Sequence, residues 1–274
     1  MNVNSLFAEQ VVPFYDYQLQ VNVLPEKKMI DAYATFSSDA FLTDTLRLYL
    51  YSGLKIKYVL VDDDTIVTTR KGNEFLIPLS PSHDQDRITV TVAYQGTPYE
   101  NKQGIIDGGF QWMKSSEGVP RISVLPIVNA NSAWFPCSQN IWQQTQKLSC
   151  SITVPYGVST VTGGKFESDM HNSDSSNTTS WIYNDSVAFN EFSFFAGDYR
   201  RTDDWFKFGN DSTLLSCYLF AEDADHSVEL LQQEKSYLSF LIQQHDFKFL
   251  KNGVRTAECL VPYSSSLGLI GYGN

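Results

Sequence analysis

NSAWFPCSQNIWQQTQKLSCSITVPYGVSTVTGGKF, residues 131–166, opens on an aromatic pair, Trp134 and Phe135, set against the turn-former Pro136 and followed by Cys137. After a polar spacer, Leu148, Cys150, Ile152 and Val154 alternate with Ser149, Ser151 and Thr153, the two-residue period of a half-buried β-strand. Pro155 ends that run, Gly157 permits a turn, and Val158 to Val161 resume β-branched character towards Gly163 and Gly164, so the segment reads as a β-hairpin with an aromatic anchor before it. Pro136 fixes its own φ and biases Phe135 towards an extended conformation. Trp134 and Phe135 are therefore expected on opposite faces, with at least one in the core.

Working outward, the same period recurs. Tyr15, Tyr17, Leu19, Val21 and Val23 share one face before a turn at Pro25 to Lys28, and Tyr33 to Phe36 is the return strand. Leu46, Leu48 and Leu50 alternate with polar neighbours, as do Ile56, Tyr58 and Leu60 before the turn at Asp62-Asp63-Asp64. Ile66 to Thr69 and Phe75 to Leu79 form a hairpin about Lys71-Gly72-Asn73, and Arg87 to Tyr94 is the cleanest alternating strand. Gln95 to Gln111 reads as loop, and Asp169 to Ser180 as an exposed hairpin tip. Near Asp203 the character changes: Thr213 to Phe220 is a strand, and Asp225 to His245 is the one convincing helix. Val228, Leu231, Leu238, Leu241 and Ile242 make its stripe, Asp225 or Ser227 its cap, and Thr256 to Val261 the strand after it. The expected fold is mainly β, a curved antiparallel or sandwich-like domain over residues 1–205, followed by a small α+β segment over 206–274.

The composition agrees: 42% hydrophobic and 14% aromatic with only 19% charged, rich in residues that favour strands. A net charge of −11 argues against a nucleic-acid partner, since phosphate contacts need clustered Lys and Arg, and Arg200-Arg201 are followed at once by Asp203-Asp204. No run of about 18 apolar residues suggests a membrane span, and Met1 to Val12 lacks a basic and then apolar leader. The expectation is cytoplasmic if this N-terminus is native, and periplasmic or secreted if a signal peptide was removed. Cys137, Cys150, Cys217 and Cys259 show no C-x-x-C spacing, and Cys150 and Cys217 read as small buried hydrophobes.

Trp134-Phe-Pro-Cys137, then Ser151-Ile-Thr-Val-Pro155, then Val161-Thr-Gly-Gly-Lys-Phe166 resemble the N-terminal domain of the gluzincin zinc aminopeptidases, the aminopeptidase N and leukotriene hydrolase type. Asp107 to Trp112 (DGGFQW), Phe192 to Tyr199 (FSFFAGDY), Leu260 to Tyr263 (LVPY) and Gly271 to Asn274 (GYGN) follow in the family's order. The resemblance covers roughly residues 105–274 and implies a domain boundary near Arg201 to Gly209, where the family's thermolysin-like domain begins. Three features depart from the pattern. Ser264 to Ile270 replace the exopeptidase glutamate, Ile127 stands about where a substrate-facing glutamine is expected, and no H-E-x-x-H is present.

The resemblance implies a non-catalytic module, structural or peptide- or protein-binding. The alternative is a part of a zinc metallo-aminopeptidase whose catalytic residues lie beyond residue 274. Zinc is then expected only with a catalytic domain, and the partner is that domain or a peptide or protein. A third reading, the aminopeptidase-like subunit of a general transcription factor, has no basic or linker-like segment behind it. Cys137 is structural in the resembling family, and Tyr156, Tyr263 and Tyr272 fall near where its cleft would lie, although sheet packing explains them more simply. His83, His171, His226 and His245 have no ligand spacing, the Asp62 to Asp64 run reads as a solvated turn rather than a calcium loop, and no serine sits in a G-x-S-x-G elbow. The structural or binding candidates are Trp134, Phe135, Cys137, Tyr263 and Tyr272.

Overall fold

The computed structural model describes residues 13–39, 44–79, 87–100, 108–125, 134–140, 142–245, 253–259 and 269–272. The first group of strands is β1 (Tyr15–Leu24), β2 (Met29–Asp39), β3 (Thr45–Tyr49), β4 (Leu54–Val61), β5 (Asp64–Thr65), β6 (Thr69–Lys71), β7 (Glu74–Pro78) and β8 (Arg87–Gly96). Next come β9 (Gly109–Lys114), β10 (Pro120–Leu125), β11 (Gln144–Thr145), β12 (Leu148–Pro155), β13 (Ser159–Thr162), β14 (Lys165–His171), β15 (Ser176–Tyr183), β16 (Val187–Ala188) and β17 (Phe194–Gly197). The chain closes with β18 (Tyr199–Phe208), β19 (Asp211–Phe220), helix α1 (Ser227–His245), β20 (Val254–Ala257) and β21 (Leu269–Tyr272).

The architecture is a stack of layers. A large sheet in the order β14-β15-β12-β1-β2-β8-β4-β5 forms the first. Tyr17, Leu19, Val21 and Val23 of β1, the apolar set of β12, and Ile88, Val90 and Val92 of β8 all turn to its inner side, as their alternation requires. A sheet in the order β13-β17-β10-β9 is the second layer. Its strands are buried on both sides: Ile122, Val124 and Phe194 face the first core, and Leu125, Val161 and Phe195 face a second. The third layer, β18-β19-β20-β21, meets that second core through Tyr199, Tyr218 and Phe220 and packs its other side on α1 through Leu215, Cys217, Leu231 and Leu238. A smaller β3-β7-β6 sheet adds Leu46, Leu48, Phe75 and Ile77 to the first core.

Several expectations are corrected. The segment 148–161 is not a hairpin: β12 lies between β1 (parallel) and β15 (antiparallel), while β13 pairs with β17 in the second layer. Both edges of β12 are occupied, so the turn at Gly157 (φ +82°) carries the chain between sheets. Tyr15 and Tyr58 leave their predicted faces because irregularities at Asp16 (φ +38°) and between Ile56 and Tyr58 shift the phase of β1 and β4, each adding a residue to one strand. Val59 and Val61 are buried in place of Tyr58 and Leu60. Gly109 to Gln111, expected as loop, begin β9, and the expected tip 169–180 is mostly strand, with His171 opposite Asn177. Val228 is exposed rather than on the helix's buried stripe. The change of sheet comes at Asp198, between β17 and β18.

Candidate functional site

Trp134, Phe135 and Cys137 are brought together in the first core, and none is exposed. Trp134 packs on Phe110, Phe192 and Phe194 at ring distances of 5.8, 5.5 and 5.5 Å. Phe135 packs on Tyr17, Phe189 and Phe192 at 6.0, 5.7 and 5.7 Å. The two rings also touch each other, so the expectation of opposite faces fails: the backbone here is bend and coil with a single β-bridge at Cys137, and strand alternation does not govern it. The Tyr17 hydroxyl donates to the Pro136 carbonyl, and Tyr49 and Cys137 exchange backbone hydrogen bonds of 2.8 and 3.0 Å. This segment ties β1 and β3 to the second layer.

Of the other candidates, Tyr272 lies in β21 with Val254 as its register partner, and Tyr263 lies outside the described residues. Tyr156 is 72% exposed, which corrects its reading as a packing residue. Burial pushes the Cys137 thiol up to about 12 and the Cys217 thiol up to about 11, and raises Cys150 as well. These side chains are small hydrophobes rather than nucleophiles, because the thiolate is the reactive form. The described residues do not fit a zinc ion. No group of three His, Cys, Asp or Glu side chains among them is arranged to hold a metal, and the His171 ring Nδ1 lies 2.6 Å from Asn177 Oδ1.

A charged cluster that sequence reasoning missed joins the second and third layers. Arg121, on the inner run of β10 with its side chain only 5% exposed, sends Nε to Asp198 Oδ1 at 2.7 Å and one amino group to Asp198 Oδ2 at 2.9 Å. It also donates to both oxygens of Glu222, at 2.6 Å to Oε1, and its guanidinium lies 3.9 Å over the Phe220 ring. A planar fork matches two carboxylates and an aromatic face at once, as an ammonium cannot. Close by, Tyr199 donates to the Glu258 carbonyl at 2.6 Å, and the Phe220 amide donates to Glu258 Oε2 at 3.0 Å. Burial and the Asp223 carboxylate raise the Glu258 carboxyl against the Phe220 hydrogen bond and the Arg121 charge. The available signal was an arginine inside a mostly apolar strand.

Two open surfaces complete the picture. Helix α1 leaves Leu230, Tyr237 and Phe240 exposed on a stripe beside its buried one. The outer face of the large sheet carries a concavity of about 350 Å³ lined by Gln20, Asn22, Tyr33, Ser151, Thr153 and Thr178, with Asp31 at its side.

The fold is that of the M1 zinc metallopeptidase N-terminal region. An M1 zinc metallopeptidase from Deinococcus radiodurans superposes with a TM-score of 0.65 and 15% identity, over 78% of this chain and 48% of that one. A two-domain M1 zinc metallopeptidase mutant bound to L-tryptophan gives a TM-score of 0.62 and 16% identity, over 78% and 49%. A Deinococcus radiodurans mutant bound to a Tyr-Ser-Ala substrate gives 0.61 and 16%, over 77% and 48%. The chain thus spans about half the length of the structures it matches. No family model and no curated protein matches it.

Proposed function

We propose that this chain is a non-catalytic β-rich module that docks a protein domain on helix α1. The observation that carries this reading is the stripe of Leu230, Tyr237 and Phe240, three large apolar side chains left exposed on the outermost layer. Single exposed apolar residues are ordinary, whereas three at helical spacing make a surface that an aromatic-anchored interface uses. Two facts support a domain as the occupant. The shared fold belongs to proteins about twice as long, and α1 is the layer farthest from the large sheet. The sequence itself supplies no H-E-x-x-H and no two histidines at i, i+4, the spacing that places two imidazoles on one helix face for zinc.

The second reading, a metallo-aminopeptidase completed by residues outside this sequence, is favoured by the same fold and length. Metal content and hydrolysis of aminoacyl-p-nitroanilides, measured on the purified 274-residue chain, test the non-catalytic reading. Substoichiometric zinc and no cleavage are expected; zinc retained through dialysis together with chelator-sensitive hydrolysis would overturn it. For the docking surface, Tyr237→Ser with Phe240→Ser should leave folding intact and reduce capture of a separately expressed M1-type catalytic domain. Unchanged association of the double variant would discard α1 as the interface.

A further inference from the structure

We infer that the outer face of the large sheet, centred on Asn22, Tyr33 and Thr153, binds a neutral oligosaccharide. This face lies at the opposite end of the layer stack from α1 and stands independently of the reading above.

Its chemistry differs from that of the other open sheet face in this protein, whose net charge is −11. The strand β18 carries Arg200, Arg201, Asp203 and Lys207 on its open positions, as solubility requires. The middle of the large sheet instead presents short hydroxyls and amides: Gln20 and Asn22 from β1, Ser151 and Thr153 from β12, Thr178 and Ser180 from β15. The charges nearest the concavity cancel, since Lys57 Nζ holds Asp31 at 2.7 and 3.0 Å.

The hydroxyls are fixed in advance. Thr153 and Thr178 oxygens lie 2.8 Å apart, Ser151 and Ser180 2.9 Å, and Thr35 and Thr91 3.0 Å, each pair sharing one hydrogen bond across adjacent strands. In each pair one O–H is spent on its neighbour, and Thr178 Oγ1 also accepts from Asn172 Nδ2 at 2.9 Å, which leaves one O–H and the remaining lone pairs of each pair for a ligand. A ligand that bonds to them does not have to order them, so less free energy is lost on binding. The Gln20 and Asn22 amides have no hydrogen-bond partner among the described side chains, and each offers a donor and an acceptor side by side.

Tyr33 completes the site. Tyr33 is 38% exposed at the edge of the concavity, and the Lys57 ammonium lies over one face of its ring, 5.7 Å from the centroid. The negative face of an aromatic ring attracts the weakly positive C–H groups on the flat side of a pyranose, while the sugar hydroxyls reach the polar side chains around it. The volume of about 350 Å³ is within the usual range for small-molecule sites. Other occupants suit the surface less well. Nucleic acid needs clustered cations, and a protein interface needs an apolar centre with several large anchors. A neutral sugar matches many fixed hydroxyls and one ring.

The test is saturation-transfer NMR and calorimetry of the full chain against soluble neutral hexasaccharides of glucose, xylose, mannose and N-acetylglucosamine, with heparin and polygalacturonate as charged comparators. At least one neutral series should bind saturably. Tyr33→Ala and the near-isosteric Thr153→Val should each weaken it tenfold or more with circular dichroism unchanged, and Tyr237→Ser on α1 should leave it unaltered. Thr153→Val preserves shape, so it decides the matter if Tyr33→Ala fails to fold. No binding of any neutral series, binding of the charged comparators only, or binding indifferent to Thr153→Val would each overturn the assignment.

Discussion

The rings of Trp134 and Phe135 meet edge to face, centroids 5.0 Å apart and planes at 79°, with neither side chain exposed. Each is the other's neighbour and each has its own set of aromatic contacts. Trp134→Ala and Phe135→Ala should therefore each cost about 3–5 kcal/mol through lost transfer energy and a residual cavity. Because the cavities adjoin, the double variant should lose less than the sum. Urea denaturation of the three variants measures this, and a loss under about 1 kcal/mol for either single variant would remove the segment from the core.

Among the described residues, Arg121 is the one cation joining Asp198 and Glu222. Arg121→Ala strands the little-exposed Asp198 carboxylate and should cost about 3 kcal/mol. Glu222→Gln should cost under about 1 kcal/mol, because that side chain is half in water and its pairing is screened. The hydrogen bond from Arg121 holds the Glu222 carboxyl below its usual range. Its small contribution is therefore present above the unfolded pKa and fades as pH falls through the folded one. The difference in denaturation midpoint between wild type and Glu222→Gln seen at pH 7 should shrink at pH 3.5.

Glu234 behaves oppositely. Its burial between α1 and β20 raises the carboxyl, against a 3.1 Å hydrogen bond from Thr256 Oγ1. A raised acid stabilises the fold only while protonated, and that benefit is lost as pH rises through the folded pKa. Glu234→Gln keeps an acceptor for Thr256 and removes the buried charge. It should raise the thermal midpoint at pH 8 and have less effect at pH 4; a lower midpoint at pH 8 would refute the account.

Gly96 ends β8 at φ +145°, and a Cβ placed there would sit 2.2 Å from the Gly53 carbonyl oxygen. The strain falls on backbone rather than on a movable side chain. Gly96→Ala should cost at least about 2 kcal/mol, read from equilibrium unfolding, and a neutral result would show that the β4–β8 end can spread.

The alternation of β1, β8 and β12 made their buried faces legible, because a two-residue period has only two phases. What it could not carry was any inserted residue: Asp16 and Lys57 look like ordinary exposed positions, yet the irregularities beside them reverse the phase of Tyr15 and Tyr58. Pro155 and Gly157 announce a turn, and a turn joining two sheets has the same local chemistry as one joining two paired strands. The aromatic anchor was visible from composition, whereas the partners of Arg121 come from β17–β18 and beyond β19 and are fixed only by layer stacking. The outer face with Tyr33 carries no signal in the sequence, because each residue there, taken singly, is an ordinary solvent-facing position.

The parallel ladder that sets Tyr17 beside Leu148 and Asn22 beside Thr153 also schedules how the protein is made. As the chain leaves the ribosome, β1 can pair with β2 almost at once, but its other flank stays bare until more than a hundred further residues have emerged. During that interval a nascent chain presents an open edge with an alternating apolar set behind it, the arrangement by which one copy recruits another. Cleavage or stalling between Gly96 and Leu148 would make that interval permanent, so fragments ending there should be found in the insoluble fraction to a greater extent than the 274-residue chain.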